Sequence, residues 1–251
     1  MDYEAAVDRI LAAAREHLAA AISALAVHGV MTGALDAIHR YRLNHFDLIV
    51  PDGQPVRWAL NLLYGTKLED RVYGPELTLR VCRQAAEEQA PVFFYGSTQP
   101  VLERMQRNLL KRFPRLPIAG MEASKFRRLT QAEAIELSTR IRHSGAAIVF
   151  AGLGCPRQET WAYEFRDLVS MPVLAVGAAF PFIAGKLRQA PPTLQRIGME
   201  WFFRFCIEPR RLWRRYALLN PAYVALVTMQ CARIRTFDTK GIMPESNMLF
   251  G

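Results

Sequence analysis

The segment Asp47-Leu48-Ile49-Val50-Pro51-Asp52-Gly53 brings a carboxylate to the end of a short apolar run, where a helix-like pattern begins. In open α/β sheets ligands collect at the carboxyl ends of strands, because backbone donors of the following helices line a crevice there. Asp52 is therefore a candidate for chemistry, although Asp-Gly at such a position also serves as plain turn and helix-cap chemistry. A second candidate is the loop Gly152-Leu153-Gly154-Cys155-Pro156-Arg157-Gln158. Small residues ahead of a helix with Pro in its first turn let backbone N–H groups approach a phosphate, so the loop is read as facing a diphosphate, with tight packing as the competing explanation. Gln158 can both donate and accept toward a base or sugar. The third Gly of the dinucleotide fingerprint is absent and no acid ends the next strand, which counts against a standard nicotinamide site.

A third group is cationic. Arg204 and Arg211 are seven residues apart, and Arg214 and Arg215 follow within the next turn. If the helices there run on roughly in line, these guanidinium groups converge on one side, where their forks can hold a diphosphate and stay charged. A solvated basic face is the bland alternative. Trp201, Phe202, Phe203, Trp213 and Tyr216, interleaved with the arginines, suit core packing, lipid headgroups or base stacking equally.

These residues need a scaffold, and apolar runs supply one. Short runs at about 22–27, 46–50, 91–95, 116–120, 146–151 and 173–176 read as strands. They alternate with helical patterns at about 3–18, 31–43, 53–63, 74–89, 99–112, 130–143 and 156–170, which is the signature of parallel strands joined by crossover helices. Asp52-Gly53, Gly96-Ser97, Gly152 with Gly154, and Gly177 end four of the strands and make one glycine-lined rim. Pro209 and Asn220-Pro221 divide the C-terminal part into helical pieces at about 192–207, 209–219 and 222–236. The fold class is α/β, a Rossmann-like, mostly parallel sheet with crossover helices plus a helical C-terminal appendage. The expected division is a core over residues 1–190, a basic helical appendage over 191–240 and a disordered tail over 241–251.

Bulk properties narrow the classes. The 251 residues suit one large domain or a domain with an appendage, and 51% hydrophobic with 22% charged residues is ordinary globular composition. Cys82, Cys155, Cys206 and Cys231 are scattered, without a CxxC pair, which fits a reducing compartment without structural zinc or disulfides. The acidic, amphipathic N-terminus does not read as a signal peptide. Residues 186–240 hold eleven Lys or Arg against three acids, a net +8 of the chain's +9; such a block could meet nucleic acid, anionic lipid or a phosphorylated small molecule. Ala222–Ala232 is apolar over only eleven residues, short of the ~20 a spanning helix needs.

Taken together, Asp52-Gly53, Gly152-x-Gly154-Cys155-Pro156-Arg157-Gln158-Glu159, Gly185-Lys186, Arg188-x-Ala190-Pro191, Gly198-x-Glu200-Trp201-x-x-Arg204 and Glu208-Pro209-x-Arg211-x-Trp213-x-Arg215-Tyr216 resemble the WecG/TagA/CpsF glycosyltransferases over about residues 22–216. The resemblance implies a GT-E-type transferase that moves a sugar from a UDP-sugar to a polyprenyl-diphosphate-linked saccharide at the cytoplasmic membrane face, with inversion, its catalytic core at 1–190 and its donor lid and membrane contact at 191–240. It makes Asp52 the catalytic base, puts Gln158 on the family's active-site glutamine and sets Arg204, Arg211 and Arg214 over the donor diphosphate; the rim residues Gly96, Ser97, Gly152, Gly154 and Gly177 are expected to bind donor beside them. His28, Arg71 and Glu76 fall on the acceptor or sugar side. The chain departs from the family where Thr-x-Asn becomes Ala24-Leu25-Ala26, Gly-x-Asp-Leu becomes Gly74-Pro75-Glu76-Leu77, Phe-Asp becomes Phe180-Pro181, and the first strand or hairpin is missing. These changes bear on sugar identity and acceptor placement.

An inverting transfer needs a base for the acceptor hydroxyl and something to hold charge on departing UDP. No Asp-x-Asp occurs in the chain, so arginines and helix N-termini are expected to do the second task, with no metal and no cofactor. The expected partners are the donor, the lipid-linked acceptor and the inner membrane surface, to which the protein would bind peripherally; nucleic acid is not expected, and a homo-oligomer is compatible with the sequence. The rival readings are a dinucleotide-dependent oxidoreductase, a basic nucleic-acid-binding protein, and a pseudoenzyme that binds donor without turning it over.

Overall fold

A computed structural model of the chain describes residues 2–251, apart from the side chains of Pro192, Arg196, Arg211, Arg214 and Arg215. Helix α1 (Tyr3–Arg15) leads into β1 (Ala20–Leu25), and α2 (Val27–Leu35) and α3 (Ala37–Asn44) cross to β2 (Leu48–Pro51). Next come α4 (Gln54–Tyr64), α5 (Gly74–Glu87), β3 (Val92–Gly96), α6 (Gln99–Arg112), β4 (Ile118–Glu122), α7 (Gln131–His143), β5 (Ile148–Gly152), α8 (Arg157–Val169), β6 (Pro172–Ala175) and α9 (Ala179–Ile183). The C-terminal part holds α10 (Pro192–Arg196), α11 (Glu200–Ile207), α12 (Pro209–Arg214), a π-helical turn at Arg215–Leu219 and α13 (Asn220–Cys231). All six expected strands form, within two residues of their expected starts.

They make one sheet of order β2-β1-β6-β5-β3-β4, and every neighbouring pair is parallel. Both faces are covered, which is why the strands read as nearly unbroken apolar runs. Strand alternation still sorts the side chains. Ile22, Val50, Phe94, Phe150 and Leu174 pack with α1, α5, α6 and α9 on one face. Ala21, Tyr95, Val149, Ala151 and Val173 pack with α7 and α8 on the other, where Tyr95, Trp161 and Phe165 stack at 4.9 and 4.4 Å.

Two expected helices are broken. The pattern at 31–43 becomes α2 and α3 because the Asp36 carboxylate accepts from Ile38 and His39 N–H and starts a new helix. The helix expected at 192–207 is interrupted at Gly198, whose φ of +73° suits Gly and whose missing Cβ leaves room for the Trp58 indole, 2.6 Å from where that atom would stand. Helix α9 was not anticipated.

The last residues are not the disordered tail that the sequence suggested. Past α13 the chain returns to the core: Ile242 N–H donates to the Ala37 carbonyl, Leu129 N–H to the Leu249 carbonyl, and Gly251 N–H to the Arg127 carbonyl. The Glu164 carboxylate accepts from Met248 and Leu249 N–H at 2.8 and 2.9 Å and pairs with Arg42 at 3.3 Å, both side chains being buried. Backbone donors and one guanidinium thus satisfy a carboxylate that burial would otherwise penalise. Glu164→Ala should leave Arg42 without its buried counter-charge and release this strap, lowering stability by about 3–5 kcal/mol; urea unfolding measures it, and a loss below 1 kcal/mol would show that Glu164 does not hold the strap.

Candidate functional site

Strand β2 ends at Pro51, and Gly53 starts α4 without a side-chain cap. Asp52 is therefore not engaged as a helix cap. Its Oδ1 instead accepts from Gly74 N–H at 3.1 Å, at the start of α5. The carboxylate faces a cavity of about 100 Å³ bounded by His28 in the first turn of α2, by Arg71 and Tyr73, and by Glu200, Trp201, Arg204 and Tyr216 from the C-terminal segment. Burial pushes its pKa from 3.8 up to about 6, against the lowering pull of Arg71, the Gly74 hydrogen bond and Arg204, while Glu200 adds to the rise.

Arg71 ties the two parts of the site together. It is buried, donating to the Asp52 carbonyl at 3.3 Å, to Gln195 Oε1 at 3.3 Å and to Glu200 Oε2 at 2.5 Å, and its guanidinium lies 4.5 Å from the Tyr73 ring centroid. Burial alone would disfavour its charge; Glu200 and Asp52 outweigh that and push its pKa up. Arg204 stands on the same cavity with its guanidinium 5.6 Å from the centre of the Phe182 ring. Of the three expected appendage arginines, Arg204 is thus brought to Asp52, whereas the Arg211 and Arg214 side chains lie outside the described residues.

Gly96, Ser97, Gly152, Gly154, Gln158 and Gly177 form a neighbouring group that does not line the Asp52 cavity. Gln158 is buried; its Oε1 accepts from Gly154 N–H at 3.1 Å, and its Nε2 donates to Glu159 at 2.8 Å. A Cβ on Gly177 would stand 2.3 Å from that Oε1, so the rim closes on Gln158 only because residue 177 is Gly. Glu159 is buried beside it, and burial raises its pKa. The rim meets the Asp52 loop at Gly74, where a Cβ would lie 3.7 Å from the Val176 carbonyl oxygen. Glu76 does not line the Asp52 cavity but borders a second one, shared with Arg71, Gln54 and Tyr73.

Sequence reasoning quoted Glu200 in a motif but gave no role to Glu200, Tyr73 or Gln54. Glu200 carried a usable signal, being an acid that opens the apolar, aromatic helix Glu200-Trp201-Phe202-Phe203. Tyr73 and Gln54 carried none, since a Tyr beside Arg and a Gln at a helix start occur anywhere. Among the described residues, no three His, Cys, Asp or Glu side chains cluster so as to hold a metal ion.

The raised pKa has a consequence for stability. Below about pH 4 Asp52 is protonated in both folded and unfolded chains. Between pH 4 and 6 the folded chain holds a proton that the unfolded chain has released, so stability falls as pH rises through this window. Asp52→Asn lacks that proton release and keeps an oxygen for Gly74. It should therefore gain on the wild type across pH 4–6, by on the order of 1–3 kcal/mol, as measured by thermal unfolding against pH; a constant difference would show that Asp52 titrates normally.

A protein of Bacillus spizizenii strain W23, an N-acetylglucosaminyldiphosphoundecaprenol N-acetyl-beta-D-mannosaminyltransferase, is 31% identical over 186 residues, which cover 74% of this chain and 69% of that protein. A protein of the same description from Bacillus subtilis strain 168 is 26% identical over 199 residues, 79% of this chain and 75% of its own. The model of the glycosyl transferase WecG/TagA/CpsF family matches residues 1–236, taking in Asp52, the rim and Arg204, and the chain belongs to that family.

Proposed function

We propose that the protein is an inverting, metal-independent glycosyltransferase that moves a sugar from a UDP-sugar to a polyprenyl-diphosphate-linked saccharide. The observation that carries this reading is the pairing of Asp52, whose pKa is raised to about 6, with Arg71 and the appendage's Arg204 on one cavity. A carboxylate tuned toward neutrality takes a hydroxyl proton more readily than an ordinary Asp while remaining ionised at pH 7. In the reaction, Asp52 accepts the acceptor hydroxyl's proton as that oxygen bonds to the anomeric carbon. The bond from that carbon to the donor's phosphate oxygen breaks on the opposite face, and its electron pair leaves with UDP. Arg204, with Arg211 and Arg214, would hold the charge that develops there. Gln158 and the glycine rim would receive the nucleotide end.

A cavity of about 100 Å³ takes roughly three waters, too little for a sugar nucleotide. The C-terminal segment that roofs it must shift to admit the donor, which fits the role of a lid. No helix among the described residues is long and apolar enough to cross a membrane. Trp201, Phe202, Ile207 and Trp213 are exposed among the arginines, a surface suited to the headgroup region of an anionic membrane. The two relatives make N-acetylmannosaminyl transfer to a lipid-linked N-acetylglucosamine the first reaction to test.

In that assay kcat/KM should climb about tenfold per pH unit below pH 6 and level off above it, as the base ionises. Asp52→Asn should lose about 10²–10⁴-fold in kcat and abolish that rise. Near wild-type turnover with an intact fold would remove Asp52 from the mechanism. Arg204→Ala should cost about 10²-fold in kcat, and activity should survive EDTA; loss of activity restored by magnesium or manganese would reassign the diphosphate to a metal.

A further inference from the structure

The strap at residues 238–251 lies past residue 236, where the family match ends, and none of its residues lines the Asp52 cavity. It crosses α3, where Arg40 pairs with Asp238 at 3.4 Å and Ile242 N–H donates to the Ala37 carbonyl, and then passes Glu164 on α8. Beyond that it runs antiparallel to residues 127–129, with a bridge between Arg128 and Phe250. Those residues follow β4, so the strap arrives at the carboxyl edge of the sheet.

There it touches both loops of the glycine rim. On the β3 side the meeting point is Ser124, which is buried. Its N–H donates to the Ser97 carbonyl at 3.1 Å, and its hydroxyl accepts from Phe126 N–H at 3.0 Å and donates to the Gly251 oxygen at 2.5 Å. On the β5 side the Phe250 ring centre lies 5.6 Å from the guanidinium of Arg157, the first residue of α8 after the loop at 152–156. The two loops also meet each other: a Cβ on Gly96 would stand 2.8 Å from the Gly152 carbonyl carbon.

The backbone on the β3 side needs such support. Ser97 and Phe126 both lie in the left-handed region, with φ of +59° and +56°. For residues other than Gly that conformation costs about 1–2 kcal/mol each, and it persists where surrounding contacts over-determine it. Here those contacts converge on Ser124, and the strap supplies one of them.

We propose that the strap braces the donor side of the active site. Through Ser124 and Phe250 it holds the two rim loops in the arrangement that takes the donor nucleotide, which makes both of them positioning residues. The choice of ligand rests on the transferase reading above, whereas the brace rests on the strap's own contacts. Because the strap does not reach the Asp52 cavity, its influence falls on donor binding and not on the transfer step.

Deleting the strap would also strip Glu164 and Leu129 of their partners, so point variants make the test. Ser124→Ala removes the hydroxyl's bonds and keeps the N–H that holds Ser97, and Phe250→Ala removes the ring beside Arg157. In an N-acetylmannosaminyl transfer assay Ser124→Ala should raise donor KM about 3- to 10-fold, the worth of one hydrogen bond. Phe250→Ala should raise it about 2- to 5-fold, the worth of an exposed cation–π contact. In both, kcat and acceptor KM should stay unchanged, and Phe250→Tyr, which keeps the ring, should behave as wild type. Calorimetric titration with UDP should show the same weakening without turnover. Hydrogen exchange on the full chain without ligand should speed up at the Ser124 and Gly154 amides, both bonded within the rim, but not at the Gly74 amide bonded to Asp52. If the wild-type protein neither binds UDP nor transfers a sugar, the donor reading fails by itself, and the exchange pattern still decides the brace. Unchanged donor KM and UDP affinity in both folded variants would overturn the donor role, and unchanged rim exchange would overturn the brace. Equal losses for donor and acceptor, or faster exchange throughout the chain, would overturn the proposal in favour of a strap that serves overall stability alone.

Discussion

The buried guanidinium of Arg71 is the contact on which the site depends. It spans from the Asp52 carbonyl to Gln195 and Glu200 and lies against the Tyr73 ring. A charge this deeply buried is tolerated only with a counter-charge and well-aimed acceptors. Those come from two parts of the chain more than a hundred residues apart in sequence. The interaction does more to fix geometry than to add net stability, since the desolvation of both ions offsets much of their attraction. Its result is that the loop after β2 and the segment carrying Arg204 share one wall. The environment of Asp52 is set by the same arrangement: burial raises its pKa, and Arg71 and Arg204 keep the rise moderate.

The C-terminal segment is attached to the core at three places. Gln195 and Glu200 join it to the core by accepting from Arg71, and α13 packs through Tyr223 onto Met31 and Ala59 of α2 and α4. Beyond α13 the chain crosses α3, passes Glu164 and ends against Ser124 and Leu129. A segment held at both ends can tilt over Asp52 without being lost from it.

Arg71 borders two cavities. The smaller is lined by Asp52, Glu200, Arg71 and Arg204 and the larger by Asp70, Glu76, Arg71 and Arg80, so in each two carboxylates meet two guanidinium groups. The rim of Gly152, Gly154, Gln158 and Gly177 follows the ends of β5 and β6 and meets the Asp52 loop where Gly74 approaches the Val176 carbonyl.

Much of this architecture was legible in the sequence. Six apolar runs bounded by Gly, Pro or Asp became six parallel strands, because a strand covered on both faces must be apolar along its whole length. Asp52 could be singled out because strand-end carboxylates sit where ligands collect, and Arg204 because its spacing to Arg211 and the arginines after it lets guanidinium groups gather on one side of a helix. The sequence also mattered through Gly198 and Asp36, though their effect on helix boundaries needed the neighbours Trp58, Ile38 and His39 to be seen. What tertiary structure alone decided was pairing: Arg71 with Glu200, Glu164 with Arg42 and the terminal strap, and Asp52 with the Gly74 N–H. Local patterns report whether a residue is buried, since burial follows the period of its own element. They do not report which distant group a buried polar atom will meet, because that is set by how the elements cross.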